Sequence, residues 1–335
     1  MYKIVFKMAT VRLVCVMCLV ILFSVLSIGY MYGLLYKEPY AEPLELLSSI
    51  RCSMADKLQG PLLNISEPVS NTKLRDVKFK EVQPGGVYRQ NISNCTDTQS
   101  VAIIIPYRDR KMHLDTLVRH LHSLLQKQYI SYGIYVSELA YPTMFNKGIL
   151  MNVAYVIARY VGNHNCFIFH DVDLILADDR NLYICDKKPK HMSSYNTKYA
   201  DHGGVPYKEY IGGVLALTAS QFRAVNGFSN MMFGWGGSDD LMFLRIQEKR
   251  LGLTRVSAEY GRYYALPHDS DHGNPVNKAK FEMMDISRKR TDNDGLSNLG
   301  DLYKLVKMEQ RPLYTWIYIR CNKTEIMRKY LDIRT

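Results

Sequence analysis

Two carboxylates separated by one residue, Asp171 and Asp173, are the pair in this sequence best suited to a metal ion. They follow the apolar run CFIF at 166–169, so they are predicted to lie at the end of a strand. Carboxylate oxygens suit Mg²⁺ or Mn²⁺, and such a metal could neutralise the charge of a departing nucleotide diphosphate. The alternative is a solvated turn, since two acidic residues at this spacing are common.

Two arginines follow another apolar run. Arg108 and Arg110 belong to PYRDR at 106–110, directly after VAIII at 101–105. Guanidinium groups match phosphate geometry better than ammonium groups do. The pair could therefore bind a nucleotide, although two surface arginines would look the same in sequence.

A glycine-rich region carries an aromatic residue and two acidic residues. Residues 210–214 are YIGGV, and residues 233–240 are FGWGGSDD. The glycines beside Trp235 predict a mobile loop that presents an aromatic platform for a sugar. Ser238 is predicted to N-cap a helix that begins at Asp239. A carboxylate of Asp239 or Asp240 could act as general base on an acceptor hydroxyl, or both could merely complement the helix dipole.

One histidine, His268, could supply a nitrogen ligand to the same metal. A lone histidine is often structural, so its spacing alone does not choose between the two roles. Because Asp171 and Asp173 already predict a metal site, His268 is a candidate ligand.

The elements that must position these residues alternate between strands and helices. Apolar β-branched runs predict strands, and apolar residues at helical spacing predict helices. The sequence predicts strands at 101–105, 133–136 and 166–169, a helix marked by Leu114, Leu117, Val118, Leu121 and Leu125, and a helix at 149–161. Thr218 and Gln221 predict a capping box for a short helix ended by Gly227. This order predicts an α/β fold with a mostly parallel sheet, whose ligands bind at the carboxyl ends of the strands.

The N-terminal residues predict a membrane anchor. No charged residue occurs from Leu13 to Tyr36, a run that reaches the ~20 residues needed to span a bilayer. Basic residues at 3, 7 and 12 place the N-terminus in the cytosol. A cleaved signal peptide is the alternative, although its apolar region is usually only ~7–15 residues long. The predicted division is a cytosolic tail at 1–12, an anchor at 13–36, a stem at 37–85 and a lumenal catalytic domain at 86–335.

Other features agree with a lumenal address. Sequons for N-glycosylation begin at Asn64, Asn91, Asn94 and Asn322. Cysteines at 52, 95, 166, 185 and 321 lie beyond the anchor, and their odd number leaves at least one unpaired. The net charge of +11 suits an anionic partner. Nucleic acid is not an expected partner, because the chain has no arginine-rich arm or zinc-knuckle spacing.

Taken in order, these motifs resemble those of the β-1,4-galactosyltransferases, a family of type II Golgi enzymes. The matching segments are PYRDR, FNK at 145–147, DVD at 171–173, YIGG at 210–213, GWGGSDD at 234–240 and the segment ending at His268. The resemblance covers roughly residues 95–320. It implies a GT-A fold, Mn²⁺ or another divalent metal, and inverting transfer from a UDP-sugar to the 4-hydroxyl of β-linked N-acetylglucosamine or glucose.

The resemblance also implies roles for individual residues. Donor-binding residues would be Pro106, Tyr107, Arg108, Arg110, Phe145, Lys147, Asp171, Val172, Tyr210 and Trp235. Acceptor-binding residues would be Tyr207, Gly236, Asp239, Asp240, Lys280, Phe281 and Met284, the last three forming an N-acetyl pocket. Asp173 and His268 would hold the metal, and Asp239 would be the base. Cys166 and Cys185 would form a disulfide.

The chain departs from the family pattern at three of these positions. Ser238 replaces a glutamate that contacts the sugar, Ala265 replaces a methionine metal ligand, and Lys147 replaces an arginine. We expect altered metal preference or weaker metal affinity from the change at Ala265. The change at Ser238 bears on rate or donor choice.

The function expected from the resemblance is transfer of galactose from UDP-galactose to N-acetylglucosamine-terminated glycans of glycoproteins or glycolipids at the Golgi membrane. Alternatives are transfer of N-acetylgalactosamine, a different acceptor such as glucose or xylose, or a lumenal glycan-binding protein with reduced activity. Tyr210 argues against N-acetylgalactosamine, because relatives that prefer it have Ile or Leu at this position. Ser238 and Ala265 motivate the glycan-binding alternative.

Overall fold

The computed structural model of the chain describes residues 40–41, 58–64, 77–90, 99–269 and 273–331. The predicted tail and anchor, the sequons at Asn91 and Asn94, and Cys52 and Cys95 lie outside these residues. Among the described residues, no helix combines the length and the apolar character needed to cross a membrane.

Strands and helices alternate through most of the described chain. The strands are β1 Tyr40–Ala41, β2 Val87–Tyr88, β3 Ser100–Tyr107, β4 Ser131–Leu139, β5 Cys166–His170, β6 Leu174–Leu176, β7 Lys190–His191, β8 Tyr195–Asn196, β9 Val214–Thr218, β10 Thr254–Val256, β11 Arg262–Ala265, β12 Lys304–Gln310 and β13 Thr315–Arg320. The α-helices are α1 Lys111–Lys127, α2 Lys147–Gly162, α3 Ala219–Ala224, α4 Ser238–Glu248, α5 Lys280–Arg288 and α6 Lys323–Leu331. The 3₁₀ helices are Thr197–His202, Thr291–Asn293 and Leu296–Asp301. The predicted strands and helices are confirmed, and each extends beyond its predicted bounds.

A ten-stranded sheet has the order β1-β10-β7-β9-β5-β3-β4-β13-β12, with β2 paired to β4. Its central strands β5, β3, β4 and β13 pair in parallel. In contrast, β9 is antiparallel to β5 and to β7, and β12 is antiparallel to β13. The fold is therefore mixed α/β, and the parallel part that was predicted forms its centre.

A second sheet of three strands, in the order β6-β11-β8, brings distant residues to the acidic pair. Ala265 at the end of β11 pairs with Leu174, the residue after Asp173. The backbone N–H of Leu266 then donates to the carbonyl of Asp173 at 2.7 Å. This pairing places the segment that ends at His268 beside the strand end that carries Asp173.

Helices cover both faces of the large sheet. The predicted apolar residues of α1 are at most 3% exposed and pack on one face with Ile103 and Ile105. Helix α2 packs on the other face with Ile104 and Phe169. A fully buried aliphatic side chain contributes roughly 1.5–3 kcal/mol, so alternate residues of β3 stabilise both layers.

The helix boundaries confirm one predicted cap and correct another. The reciprocal bonds of a capping box between Thr218 and Gln221 begin α3, and Gly227 follows its end with φ of 68°. The prediction that Ser238 is an N-cap is wrong. Helix α4 already includes Ser238, because Gly237 takes the cap position in a left-handed conformation, with φ of 86°.

Described parts of the predicted stem contact the domain that follows. The backbone N–H of Gly60 donates to Asp179 Oδ1 at 2.9 Å, and that of Lys80 donates to Gln126 Oε1 at 2.6 Å. These hydrogen bonds hold the two segments against the surface of the domain.

A fully buried ion pair joins α4 to the C-terminal part of the chain. Arg245 Nη2 lies 3.0 Å from Asp294 Oδ2, and neither side chain is exposed. The carboxylate of Asp294 also accepts hydrogen bonds from Ser287 at 2.6 Å and Tyr330 at 2.7 Å. The desolvated carboxylate of Asp294 therefore links helices α4, α5 and α6.

Replacing Asp294 with Ala should lower the free energy of unfolding by about 3–5 kcal/mol, because the buried guanidinium of Arg245 loses its counterion. Urea denaturation of the purified protein measures the change. Asp292→Ala is the control, since Asp292 pairs with Lys249 at 3.0 Å on the surface and should cost at most about 1 kcal/mol. Equal, small losses in both variants would contradict the assigned role of Asp294.

Buried histidines make stability depend on pH. Burial lowers the pKa of His120, His122 and His164 to about 4, below the value of 6.5 expected when they are exposed. These residues take up protons on unfolding between the two values, so stability should fall as pH drops from about 6.5 towards 4. Unfolding free energies at pH 7 and pH 5 test this, and His122→Gln should make the decline shallower. A stability independent of pH over this range would contradict the prediction.

Candidate active site

A cleft of about 270 Å³ opens at the carboxyl ends of β3 and β5 and beside the N-terminus of α4. It brings together most of the residues singled out in the sequence. Those that line it are Pro106, Arg108, Arg110, Phe145, Lys147, Asp171, Val172, Asp173, Tyr207, Tyr210, Trp235, Gly236, Asp239, Asp240, His268 and Lys280.

Asp173 and His268 meet on one wall of the cleft. His268 Nε2 lies 3.1 Å from Asp173 Oδ2, and Arg110 Nη1 lies 3.6 Å from the same oxygen. The hydrogen bond to Asp173 raises the pKa of His268. Burial opposes ionisation of Asp173, but the bond from His268 and the charge of Arg110 outweigh it and lower the pKa of Asp173.

The chemistry of this pair fits a divalent metal. One carboxylate oxygen and one imidazole nitrogen converge, and both are ligand types that Mn²⁺ accepts. The described residues contain no group of three or more His, Cys, Asp or Glu that could hold a metal. Water or substrate oxygens would complete the coordination.

A second group of charges occupies the floor of the cleft. Lys147 Nζ lies 2.8 Å from Asp171 Oδ1 and 2.9 Å from Asp239 Oδ1. Burial raises the pKa of Asp171 to about 6, although the charge of Lys147 opposes the rise. Burial disfavours the ammonium form of Lys147, but its two carboxylates dominate and raise its pKa above the usual range.

Tyrosines form the wall next to Asp239 and Asp240. The hydroxyl of Tyr207 donates to Asp240 Oδ1, and the rings of Tyr207 and Tyr210 meet edge to face at 5.7 Å. A Cβ at Gly212 would lie 2.5 Å from Tyr210 Oη and 2.7 Å from Asp239 Oδ2. Glycine at 212 therefore allows Tyr210 to approach the candidate base.

Trp235 stands at the mouth of the cleft with 51% of its surface exposed. Gly234, Gly236 and Gly237 all have positive φ, so the backbone of the loop depends on glycine. The N–H of Trp235 donates to the carbonyl of Pro275 at 2.8 Å. The predicted aromatic platform is thus present at the opening.

Arg108 has a more structural environment than the sequence suggested. It is 3% exposed, and its guanidinium donates to the carbonyls of Thr143, at 2.8 Å, and Gly273. It also lies 5.0 Å from the centre of the Tyr141 ring and 5.2 Å from that of Phe145. Arg108 therefore holds Thr143, Gly273, Tyr141 and Phe145 together on this wall of the cleft.

Three residues expected at the site do not line the cleft. Tyr107 is the last residue of β3 and packs on the opposite face of the sheet, where burial raises its pKa to about 12. Phe281 is 71% exposed on α5, and Met284 packs against the core beneath Gly237. The alternation of side chains along β3 explains Tyr107, since Arg108 faces the other way.

Other residues that line the cleft were not predicted from the sequence. Asn196, Lys198 and Tyr199 come from the 3₁₀ helix after β8 and its cap, and Asn274 precedes Pro275. The ring of Tyr199 lies 5.8 Å from that of Tyr210. Asn196 caps the 3₁₀ turn by accepting the N–H of Lys198. This N-cap was the one signal in the sequence that could have located the turn, because the segment has no apolar periodicity.

Ala265 and Ser238, two of the three departures from the family pattern, also line the cleft. Ala265 offers no ligand atom, and its N–H donates to Thr197 Oγ1 at 2.8 Å. Ser238 is 9% exposed, and its buried hydroxyl has no hydrogen-bond partner among the described residues. Within the described part of the chain, position 265 therefore offers no third metal ligand, and an unsatisfied hydroxyl lies beside Asp239.

Cysteines and sequons can be located within the described chain. Cys166 and Cys185 form the expected disulfide, with Cα atoms 5.5 Å apart, at the start of the strand that leads to Asp171. Cys321 is buried and unpaired. Asn64 and Asn322 are both exposed, and Asn322 Oδ1 accepts the N–H of Thr324 at 3.0 Å, at the start of α6.

Most of this chain is similar in sequence to known glycosyltransferases. Residues 52–186 match the N-terminal region of glycosyl transferase group 7, and residues 191–269 match the N-terminal domain of galactosyltransferase. β-1,4-Galactosyltransferase 4 of Cricetulus griseus is 38% identical over 80% of this chain and 76% of its own length. β-1,4-Galactosyltransferase 1 of Mus musculus is 39% identical over 78% of this chain, which spans 64% of that relative's length.

A solved structure has a similar fold. The catalytic domain of Drosophila β-1,4-galactosyltransferase 7, in complex with xylobiose, superimposes with a TM-score of 0.56. The two sequences are 27% identical, and the superposition covers 67% of this chain and 95% of the Drosophila chain. A mutant of the same protein was solved with manganese, UDP-Gal and xylobiose.

Adding a thioether at position 265 should strengthen metal binding. Ala265→Met places one more donor atom on the strand end next to Asp173, and we expect Mn²⁺ affinity to rise about tenfold, or about 1.4 kcal/mol. Titration calorimetry with Mn²⁺ measures the change, and Ala265→Leu controls for side-chain volume. Equal affinities in the Met and Leu variants would show that the thioether cannot reach the ion.

Proposed function

The chain belongs to the β-1,4-galactosyltransferase family, and we propose that it transfers galactose from UDP-galactose to the 4-hydroxyl of terminal β-N-acetylglucosamine with inversion at the anomeric carbon. The carboxylate of Asp239 carries the proposal. It lies in a cleft beside Asp171, on the floor adjoining the wall where Asp173 and His268 meet.

Asp239 would act as the base. It is the second residue of α4 and its side chain is 27% exposed, so an acceptor hydroxyl can reach it. When that hydroxyl attacks the anomeric carbon, Asp239 accepts its proton, and the bond from that carbon to UDP breaks on the opposite side. Removing the proton as the new bond forms is a usual task of a positioned carboxylate.

The wall that carries Arg110 would bind the nucleotide diphosphate. Asp173 and His268 would hold a divalent metal there, which would neutralise charge on the departing UDP. Arg110 already lies within ion-pair distance of Asp173, so a positive charge is held beside this position. The mutant Drosophila structure with manganese and UDP-Gal supports this assignment by analogy.

Tyr210 and Tyr207 would set the two sugar sites. Tyr210 lies against Gly212 and the base, where a bulky 2-acetamido group on the donor would meet its ring, so galactose is favoured. Tyr207 fixes Asp240 by a hydrogen bond and would orient the acceptor. Trp235 would cover both sugars and exclude water.

We also propose the Golgi membrane as the location, with the domain in the lumen. The uncharged run at 13–36 and the basic residues before it support a type II anchor. The disulfide between Cys166 and Cys185 is compatible with an oxidising compartment.

Incubation of the purified protein with UDP-galactose, Mn²⁺ and a β-N-acetylglucosaminide should yield a β-1,4-linked disaccharide, identified by mass and by NMR linkage analysis. Asp239→Asn should lower kcat by about 10²–10⁴-fold while UDP affinity stays within about threefold, because only proton removal is lost.

Asp292→Asn is the matched control for that substitution, because Asp292 is an exposed aspartate at the surface. The same assay with UDP-N-acetylgalactosamine as donor tests the alternative donor. With β-glucosides and β-xylosides as acceptors, it tests the alternative acceptors. No transfer from either donor to any acceptor, with glycan binding retained, would favour the glycan-binding alternative.

A further inference from the structure

Lys147 has a geometry that a donor-binding role alone does not explain. Its Nζ lies 2.8 Å from Asp171 Oδ1, and 2.9 and 3.2 Å from the two oxygens of Asp239. Lys147 Nζ therefore connects the loop after β5 with the first turn of α4. Its contact with α4 includes both carboxylate oxygens of Asp239, the candidate base.

The backbone that carries Lys147 is fixed by its neighbours. Asn146 is fully buried, and its side chain accepts the N–H of Ile149 at 2.9 Å and donates to the carbonyl of Asn230 at 2.9 Å. Gly148 lies so close to the carbonyl of Ser229 that a Cβ would approach its oxygen to 2.0 Å. The start of α2 is thus held against residues 229–230, and the lysine extends from a rigid base.

The other basic side chains of the cleft have different partners. Arg110 contacts Asp173 and His268, and Arg108 contacts backbone carbonyls. The ammonium of Lys198 lies over the Tyr199 ring at 5.6 Å, and that of Lys280 lies over the Phe281 ring at 4.9 Å. Among the described residues, Lys147 is the only cation in ion-pair contact with Asp239.

We propose that Lys147 is the positioning residue of the base: its ammonium fixes the orientation of the Asp239 carboxylate next to Asp171. The inference rests on the proposed function, since it assigns Asp239 its task. Lys147 is only 17% exposed, so water screens these contacts little. Without the ammonium, the carboxylates of Asp171 and Asp239 would repel each other across the cleft, and the Asp239 side chain would turn away from its position.

An ammonium suits this position in a way that a guanidinium does not. Lysine offers three donors on one atom, which can point at two carboxylates on different segments, whereas the donors of arginine lie in one plane. We expect Lys147→Arg to keep part of the activity that Lys147→Met loses.

The test compares Lys147→Met with the unchanged protein under saturating UDP-galactose, Mn²⁺ and acceptor. The expected result is a fall in kcat of at least 30-fold, with the KM for acceptor and the Kd for UDP changed less than threefold. In an Asp239→Asn background, Lys147→Met should lower the residual rate less than twofold, because the group that it positions is already gone.

Lys249→Met is the matched control, since Lys249 pairs with Asp292 on the surface and should leave kcat unchanged. A tenfold rise in the KM for UDP-galactose at unchanged kcat would overturn the proposal in favour of donor binding. An equal fold-loss with and without Asp239 would also overturn it.

If Lys147→Met does not fold, Lys147→Arg and Lys147→Gln replace it. Retention of more activity by Arg than by Gln is then expected, and equal activity in both would contradict the proposal. The proposed function has a separate criterion. It stands if the unchanged protein transfers galactose and Asp239→Asn lowers kcat by about 10²–10⁴-fold, whatever Lys147→Met does.

Discussion

Repulsion between carboxylates that share a small cleft is the constraint around which this site is built. Asp171, Asp173, Asp239 and Asp240 all line the same space, and each has a specific polar partner. Lys147 bridges Asp171 and Asp239, while Tyr207 donates to Asp240. Arg110 and His268 neutralise Asp173. The cleft can therefore hold four acidic residues, with Asp171 and Asp239 in contact with one lysine that is itself kept charged by them.

The fold brings these partners together from distant parts of the sequence. Parallel strands β3 and β5 end side by side and supply Arg110 and the acidic pair. The small sheet β6-β11-β8 carries His268 to Asp173, and the start of α2 carries Lys147 to the loop after β5. Glycine at 212 leaves room for Tyr210 beside Asp239, and glycine at 237 takes the left-handed conformation from which α4 begins. Tight packing of both faces of the sheet keeps these ends in register.

The central part of the fold could be predicted because its strands are buried on both faces and are therefore uniformly apolar, as in β3 and β5. The capping box of α3 was equally visible, since both of its bonds are local. The direction of β9 was not, because a long connection joins it to β5 and leaves no periodic signal. The hairpin of β12 and β13, which residues 311–314 join, was not predicted either. Most residues of the cleft that belong to sequence motifs could be predicted. Tyr199 could not, because it lies in an irregular 3₁₀ turn that has no motif. The bridge made by Lys147 depends on tertiary distances alone, and no spacing in the sequence reveals it.

A crystal structure of the protein with Mn²⁺, UDP-galactose and an N-acetylglucosaminide that lacks the 4-hydroxyl would test the central claim most directly. Anomalous scattering at the manganese edge locates the ion, and the electron density shows which group Lys147 contacts. We predict a manganese peak shared by Asp173 and His268, with Lys147 in contact with Asp239 and with C4 of the acceptor facing that carboxylate. A manganese ion bound by Asp239 or Asp240, or a Lys147 side chain turned from Asp239 to the diphosphate, would contradict the account.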